Sequence, residues 1–196
     1  MAKVKWKGGT LLAPVPPALV SVGDSERDNL ITVAWTGIIC SDPPKTYISV
    51  RPSRYSYDLI KESGEFVVNL TTAELIKKAD FCGIYTGAKV DKFAKCGFDK
   101  EEASEVSCPV IAQSPLSLEC KVTDVIELGS HHMFLADIVA VDVDEELVDA
   151  KGKLHLDRAH LAAFAHGEYF ELGRKIGYFG FSADKKRKNP NNRSRR

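Results

Sequence analysis

Short apolar runs broken by turn residues set the rhythm of this chain. Residues 17–22 (PALVSV), 30–40 (LITVAWTGIIC), 46–50 (TYISV) and 65–70 (EFVVNL) are rich in β-branched and aromatic side chains. Such side chains pack well on a pleated surface, so each run predicts a strand. Residues 116–124 alternate strictly, with Leu116, Leu118, Cys120 and Val122 on one face and Ser117, Glu119, Lys121 and Thr123 on the other. That period predicts a strand with one wet side. A second long run, HMFLADIVAVDVD, follows Gly129, so 116–143 reads as a β-hairpin turning near Leu128–His131. Helical signals are fewer. Thr71-x-x-Glu74 has the form of a capping box and predicts a helix through about Cys82, with Leu75, Ile76 and Ala79 on one face. Short helices are expected over Tyr57–Glu62 and part of Asp91–Cys96. Asp157 can cap a further helix over 158–166 that Gly167 ends. Many strands, few helices and no βαβ rhythm predict a mainly β fold, a closed or sandwiched sheet with helices at its ends.

A chain of 196 residues suits one core, and 44% hydrophobic with 28% charged residues is the balance of a globular protein. No apolar run approaches the roughly 18 residues of a membrane span, and residues 1–20 lack a signal-peptide layout, so a cytoplasmic protein without membrane contact is expected. The net charge of zero hides a split. Residues 185–196 (KKRKNPNNRSRR) hold seven basic side chains and no acidic ones, leaving 20 basic against 27 acidic in residues 1–184. An acidic body argues against an enzyme that must neutralise nucleic-acid phosphates. The division expected is a domain over 1–183 and a basic, disordered tail over 184–196.

Cys40, Cys82, Cys96, Cys108 and Cys120 form no C-x-x-C and no zinc-knuckle spacing. They read as reduced, buried or half-buried thiols. The histidines 131, 132, 155, 160 and 166 make neither H-x-H nor H-x-x-x-H, so no metal site is expected. Gly83–Gly87 is not the G-x-G-x-x-G of a dinucleotide fold.

Two segments carry more. In Asn29–Gly37 (NLITVAWTG), Asn29, Ile31, Val33 and Trp35 share one face of a strand and Leu30, Thr32, Ala34 and Thr36 the other. This is either a core strand ending in an aromatic or the wall of a binding site. In Ser49–Asp58 (SVRPSRYSYD), two guanidinium groups and several hydroxyls fall where a strand gives way to a helix. Such a cluster suits a phosphate, which guanidinium forks and helix N-terminal amides both bind. The alternative is a pair of solvated arginines in a loop.

Taken with Pro14–Val20, Ser41–Pro44, Glu65–Leu70, Val90-Asp91-Lys92-Phe93, Gly129–Phe134 and Tyr169–Arg174, these segments resemble the flavin reductase-like family over most of residues 10–180. Within that family the flavoredoxin-type proteins are most similar. The resemblance implies an FMN-binding split β-barrel and a homodimer. It implies that the flavin ring lies against Asn29–Trp35 and Thr36-Gly37-Ile38, that the phosphate lies near Arg51, Pro52, Ser53, Tyr55 and Ser56, and that Lys92 reaches the cofactor. Phe164 is expected on the last helix, closing over the flavin. His131 matches the family's hairpin histidine, near the face where a nicotinamide would stack. Ser130 stands where the family often has Asp, which weakens the expectation of NAD(P)H binding.

The first functional reading is an FMN-dependent oxidoreductase passing reducing equivalents from NAD(P)H to a flavin, ferric or protein acceptor. The second is a flavoredoxin-like carrier of bound FMN without its own NAD(P)H activity, working with a redox partner protein. A non-catalytic module using its basic tail is a third, and nothing beyond the tail supports it. Cys40, close to the cofactor strand, is a further candidate for a redox role.

Overall fold

The computed structural model describes residues 1–183; the expected tail lies outside them. Along the chain run β1 (Ala18–Gly23), β2 (Asp28–Val33), β3 (Thr36–Ser41), β4 (Pro44–Val50), α1 (Tyr55–Ser63), β5 (Glu65–Asn69), α2 (Ile76–Ile84) and α3 (Lys92–Cys96). Then come the short β6 (Lys100–Glu101) and β7 (Val110–Ile111), the long pair β8 (Leu116–Glu127) and β9 (His132–Val143), and a closing ribbon of β10 (Ala162–Ala165) and β11 (Glu168–Glu171). Seven strands form one sheet in the order β2-β1-β5-β8-β9-β4-β3, with every neighbouring pair antiparallel.

The outer strands of this sheet, β2 and β3, are consecutive in the chain and separated only by Ala34 and Trp35. Such a link reaches about 10 Å at most, so the sheet must curl until its edges meet. The result is the mainly β barrel expected, with a seam at Val33–Thr36. The Ser49 N–H donates to the Trp35 carbonyl at 2.9 Å and ties β4 to the bend.

Alternation decides what each face buries. Val20 and Val22 of β1, Ile31 and Val33 of β2, Ile48 and Val50 of β4, and Phe66 and Val68 of β5 point into one core with Phe134 and Ala136 of β9. Helix α1 contributes Tyr57, Leu59 and Ile60 to that core. Gly64 follows it in the left-handed conformation (φ 69°), returning its N–H to the Ile60 carbonyl. The opposite faces of β1 and β2 present Leu19 and Leu30 to a second cluster with Leu75, Ala79, Cys82 and Phe93 of α2, α3 and their approaches. Both faces of this hairpin are therefore covered, which fixes its register.

The structure departs from the sequence reading in four places. Residues 30–40 are two strands broken at the seam. The buried Thr71 hydroxyl has no hydrogen-bond partner among the described residues, and Thr72 Oγ1 instead accepts from the Leu75 N–H, so α2 starts later. The polar side of β8 is dry at Ser117 and Glu119, both buried. Glu119 accepts from the N–H groups of Ser104, Glu105 and Val106 and from the Ser104 hydroxyl. Burial raises its pKa, but these donors outweigh burial and hold it below the usual value. Residues 158–166 are not a helix. A 3-10 turn at Leu156–Arg158 leads into β10, and His166 and Gly167, both with positive φ (51° and 86°), make the two-residue turn to β11. Positive φ at both central positions is the requirement of a type I′ hairpin, so Gly167 closes a turn here.

Candidate functional site

The seam opens into a cavity of about 240 Å³ lined by Ile31–Trp35, Ser49, Val50, Arg51, Arg54, His131 and Phe164. Two further cavities adjoin it. A small one of about 60 Å³ shares Ile31 and Arg54 and adds Asn29, Ser53, Tyr55, Ser56, Cys82, Tyr85, Thr86, Gly87 and Lys92. The other, about 320 Å³, shares Trp35 and Phe164 and is bounded by Thr10–Ala13, Val15, His166 and Gly167. These adjoining cavities make up the candidate cleft, with Trp35 and Phe164 between two of them and cations and hydroxyls around the small one. A larger cavity of about 600 Å³ lies elsewhere, bordered by Asp24, Glu26, Asp28, Glu101 and Glu102 with Lys100. Its carboxylates would repel a phosphate, so it is a poor match for an anionic ligand.

The small end is built from three elements. Asn29 of β2 is buried, and its Nδ2 donates to Ser56 Oγ at 2.8 Å, fixing the first turn of α1 against the strand. Gly87 packs so closely on Asn29 that any Cβ there would meet its Oδ1 at 2.2 Å. Lys92 is buried at the start of α3, and its ammonium donates to the carbonyls of Leu30 at 2.5 Å and Cys82 at 2.7 Å. An ammonium carries three N–H groups, and two carbonyls leave one for a ligand. Burial is the main reason Lys92 titrates at about 8, below its ordinary 10.5; the nearby Cys82 thiol opposes the shift and Arg54 adds to it.

At the other side of the seam, His131 sits in the β8–β9 turn, which the Leu128 N–H closes on the His131 carbonyl at 3.1 Å. Its Nδ1 lies 2.9 Å from Ser130 Oγ. Burial, then Arg51 and Arg54, hold the imidazole below its ordinary pKa. The next residue faces elsewhere: His132 Nδ1 meets the Tyr57 hydroxyl at 2.9 Å, and the two rings pack edge to face. Phe164 is held as part of β10, exchanging backbone hydrogen bonds with Val15 at 3.0 and 2.8 Å, and its ring packs on Tyr169.

Of the residues singled out from sequence, Asn29, Trp35, Arg51, Ser53, Tyr55, Ser56, Lys92, His131 and Phe164 line this cleft. Arg51 borders the 240 Å³ cavity but not the small one, whereas Arg54, the second guanidinium of the sequence cluster, borders both. Thr36, Gly37, Ile38 and Pro52 line none of the three cavities. Thr36 Oγ1 donates to the Tyr47 carbonyl at 2.6 Å, the Gly37 carbonyl accepts from Thr46 Oγ1 at 3.0 Å, and the Ile38 side chain is exposed. Phe164 reaches the cleft from a strand rather than the expected helix. Tyr85, Thr86 and Gly87 escaped the sequence reading because their contact with β2 is purely tertiary; the only local signal was a Gly-rich stretch. Cys40 is half-buried, donates to the Asp42 carbonyl at 3.4 Å and lies outside the cleft.

Comparison with known proteins places the fold. The family model of the flavin reductase like domain matches residues 11–173. An uncharacterised protein of Archaeoglobus fulgidus is 32% identical over 143 residues, 73% of this chain and 81% of that protein. Among solved structures, flavoredoxin of Desulfovibrio vulgaris (Miyazaki F) is 33% identical with a TM-score of 0.86, covering 94% of this chain and 100% of its own. Flavoredoxin from Methanosarcina acetivorans is 26% identical with a TM-score of 0.84, covering 93% and 100%. From its domain match and its fold, the chain belongs to the flavin reductase-like family.

Proposed function

We propose that this protein binds FMN non-covalently in the seam cleft and acts as an FMN-dependent oxidoreductase, passing reducing equivalents from NAD(P)H to a flavin, ferric or protein acceptor. One observation carries the reading: two adjoining cavities that share Ile31 and Arg54 set a small end lined by Lys92, Arg54, Ser53 and Ser56 beside an aromatic region bordered by Trp35 and Phe164. Cations with hydroxyls suit a phosphate, and a flat conjugated ring suits the aromatic walls. Bound FMN supplies hydride acceptance and transfer of one or two electrons. The chain's own residues bind and orient. Lys92 and Arg54 neutralise the phosphate, Asn29 holds Ser56 in place, and Trp35 and Phe164 exclude water from the ring. His131, held by its contact with Ser130 Oγ, offers a hydrogen bond at the open side where a nicotinamide would approach.

His131→Ala should keep FMN binding and slow reduction of the bound flavin by NAD(P)H at least tenfold in anaerobic stopped flow. His132→Ala should leave that rate unchanged and lower the melting temperature, because it removes the partner of the Tyr57 hydroxyl. Equal rates in the parent and both variants would remove His131 from the mechanism. The carrier reading is favoured by Ser130 and by the similarity to two flavoredoxins. Anaerobic titration of the FMN-loaded protein with NADH and with NADPH separates the two: bleaching supports the reductase, and a flavin that stays oxidised supports the carrier.

The same reading includes a homodimer. Val139 and Val141 of β9 and Ile38 and Ile39 of β3 are exposed side chains of the barrel wall, 38%, 51%, 64% and 47% accessible, and apolar surface of this kind favours a partner. Light scattering at micromolar concentration should give twice the chain mass of 21.6 kDa, and the monomer mass would contradict it.

A further inference from the structure

We propose that Cys82 and Cys96 form an oxidisable dithiol that closes to a disulfide behind the small end of the cleft. Cys82 lies in α2, is fully buried and lines the small cavity. Cys96 is the last residue of α3, half-buried, and followed by Gly97 in the left-handed conformation (φ 61°). The two sulfur atoms are 3.9 Å apart. A disulfide needs about 2.05 Å, an approach of roughly 2 Å. A side-chain torsion and a small shift at the end of a five-residue helix supply that more readily than movement of a strand would.

Cys96 is the more accessible of the two and meets the oxidant first, while Cys82 is buried beside it; burial, then the neighbouring Cys96, pushes the Cys82 thiol up to about 12, so its proton leaves only as the bond between the sulfurs forms. With hydrogen peroxide as oxidant, the Cys96 sulfur bonds to one peroxide oxygen as the O–O bond breaks, giving a sulfenic acid and a first water. The Cys82 sulfur then bonds to the Cys96 sulfur, the S–O bond breaks, and the departing hydroxyl takes the Cys82 proton as a second water. Two thiols lose two electrons and one peroxide becomes two waters.

Residues between the two cysteines include Tyr85, Thr86, Gly87 and Lys92, all on the wall of the small cavity. A disulfide would hold α2 and α3 together and restrict opening of this wall. The effect on the ligand rests on the FMN reading above; formation of the bond does not.

The experiment treats the full chain, with and without FMN, with hydrogen peroxide, blocks the remaining thiols and maps the peptides. The expected product is a linked peptide pair Cys82–Cys96, lost in Cys82→Ser and in Cys96→Ser and formed more slowly in urea, where the sulfurs are no longer neighbours. Cys96 oxidised further with Cys82 still a thiol, or random pairing of cysteines, would overturn the proposal. FMN release is then timed from oxidised and reduced protein. Release at least threefold slower from the oxidised form is expected, and equal or faster release overturns the coupling to the cleft. Should the reduced protein bind no FMN at all, the functional reading fails while the peptide map still judges the disulfide.

Discussion

Replacing Gly87 by Ala is expected to weaken FMN binding about thirtyfold, equivalent to roughly 2 kcal/mol. The added methyl would sit 2.2 Å from Asn29 Oδ1 and 2.4 Å from its Cγ, far inside van der Waals contact. Asn29 cannot swing into water because it is buried and bonded to Ser56. It must give up that bond, and Ser56 then loses its fixed position at the small end. Overpacking of this kind typically costs about 1–3 kcal/mol of stability as well. Gly83→Ala serves as the control. A Cβ there meets Thr32 at an ordinary 3.4 Å, and Ala is favoured over Gly within a helix. Fluorescence titration with FMN on both variants makes the comparison, and a loss shared equally by Gly83→Ala would show that the segment as a whole, and not the contact with Asn29, sets affinity.

Lys92→Met is expected to reduce FMN affinity at least tenfold and riboflavin affinity much less, since a charged hydrogen bond to phosphate is worth about 1.5–3 kcal/mol. The ammonium is buried at a cost, but its loss also leaves the Leu30 and Cys82 carbonyls without this donor, so a lower melting temperature is expected alongside the loss of affinity. The pH dependence gives a second readout. The folded Lys92 titrates at about 8 against an ordinary 10.5, so between those values the unfolded chain binds the proton and the folded chain does not. Stability without ligand should therefore rise from about pH 8 to 10.5 and be flat in this respect below 8. Bound phosphate favours the ammonium, so FMN affinity should fall as pH rises through about 8. Lys92→Met should abolish both slopes. Slopes that persist in the variant would assign them to another group, and equal losses for FMN and riboflavin would make Lys92 structural.

How far the sequence anticipates this molecule depends on the range of the interactions. The hairpin over 116–143 turns where its pattern indicates, because alternation and Gly129 are local features. The strands around Val20, Ile48 and Phe66 are legible for the same reason. Asp91 caps α3 through its side chain and the Ala94 N–H, another local bond. Residues 158–166 mislead because an Ala-rich stretch has strong helix propensity, while its strand conformation depends on pairing with Val15, remote in sequence, as well as on the tight hairpin to Tyr169. Glu119 misleads similarly: alternation marks it as outward, and only the fold brings the amides of Ser104–Val106 over it. In the cleft, the arginine and serine cluster at the head of α1 is visible locally. That Arg54 rather than Arg51 reaches the small end depends on the direction in which α1 leaves β4, and Gly87 acquires meaning only through its contact with Asn29.

The mounting of Phe164 has a mechanical consequence. This aromatic wall belongs to the two-stranded ribbon of β10 and β11, which is separate from the seven-stranded sheet. Backbone bridges fasten the ribbon from Phe164 to Val15 and from Leu161 to Thr72. An isolated pair of strands is marginal by itself, so the position of Phe164 depends on these bridges and on the Tyr169 hydroxyl, which donates to Asp80 Oδ1 at 2.9 Å. Loss of those fastenings would open the cleft on its Phe164 side without breaking any strand pair of the seven-stranded sheet.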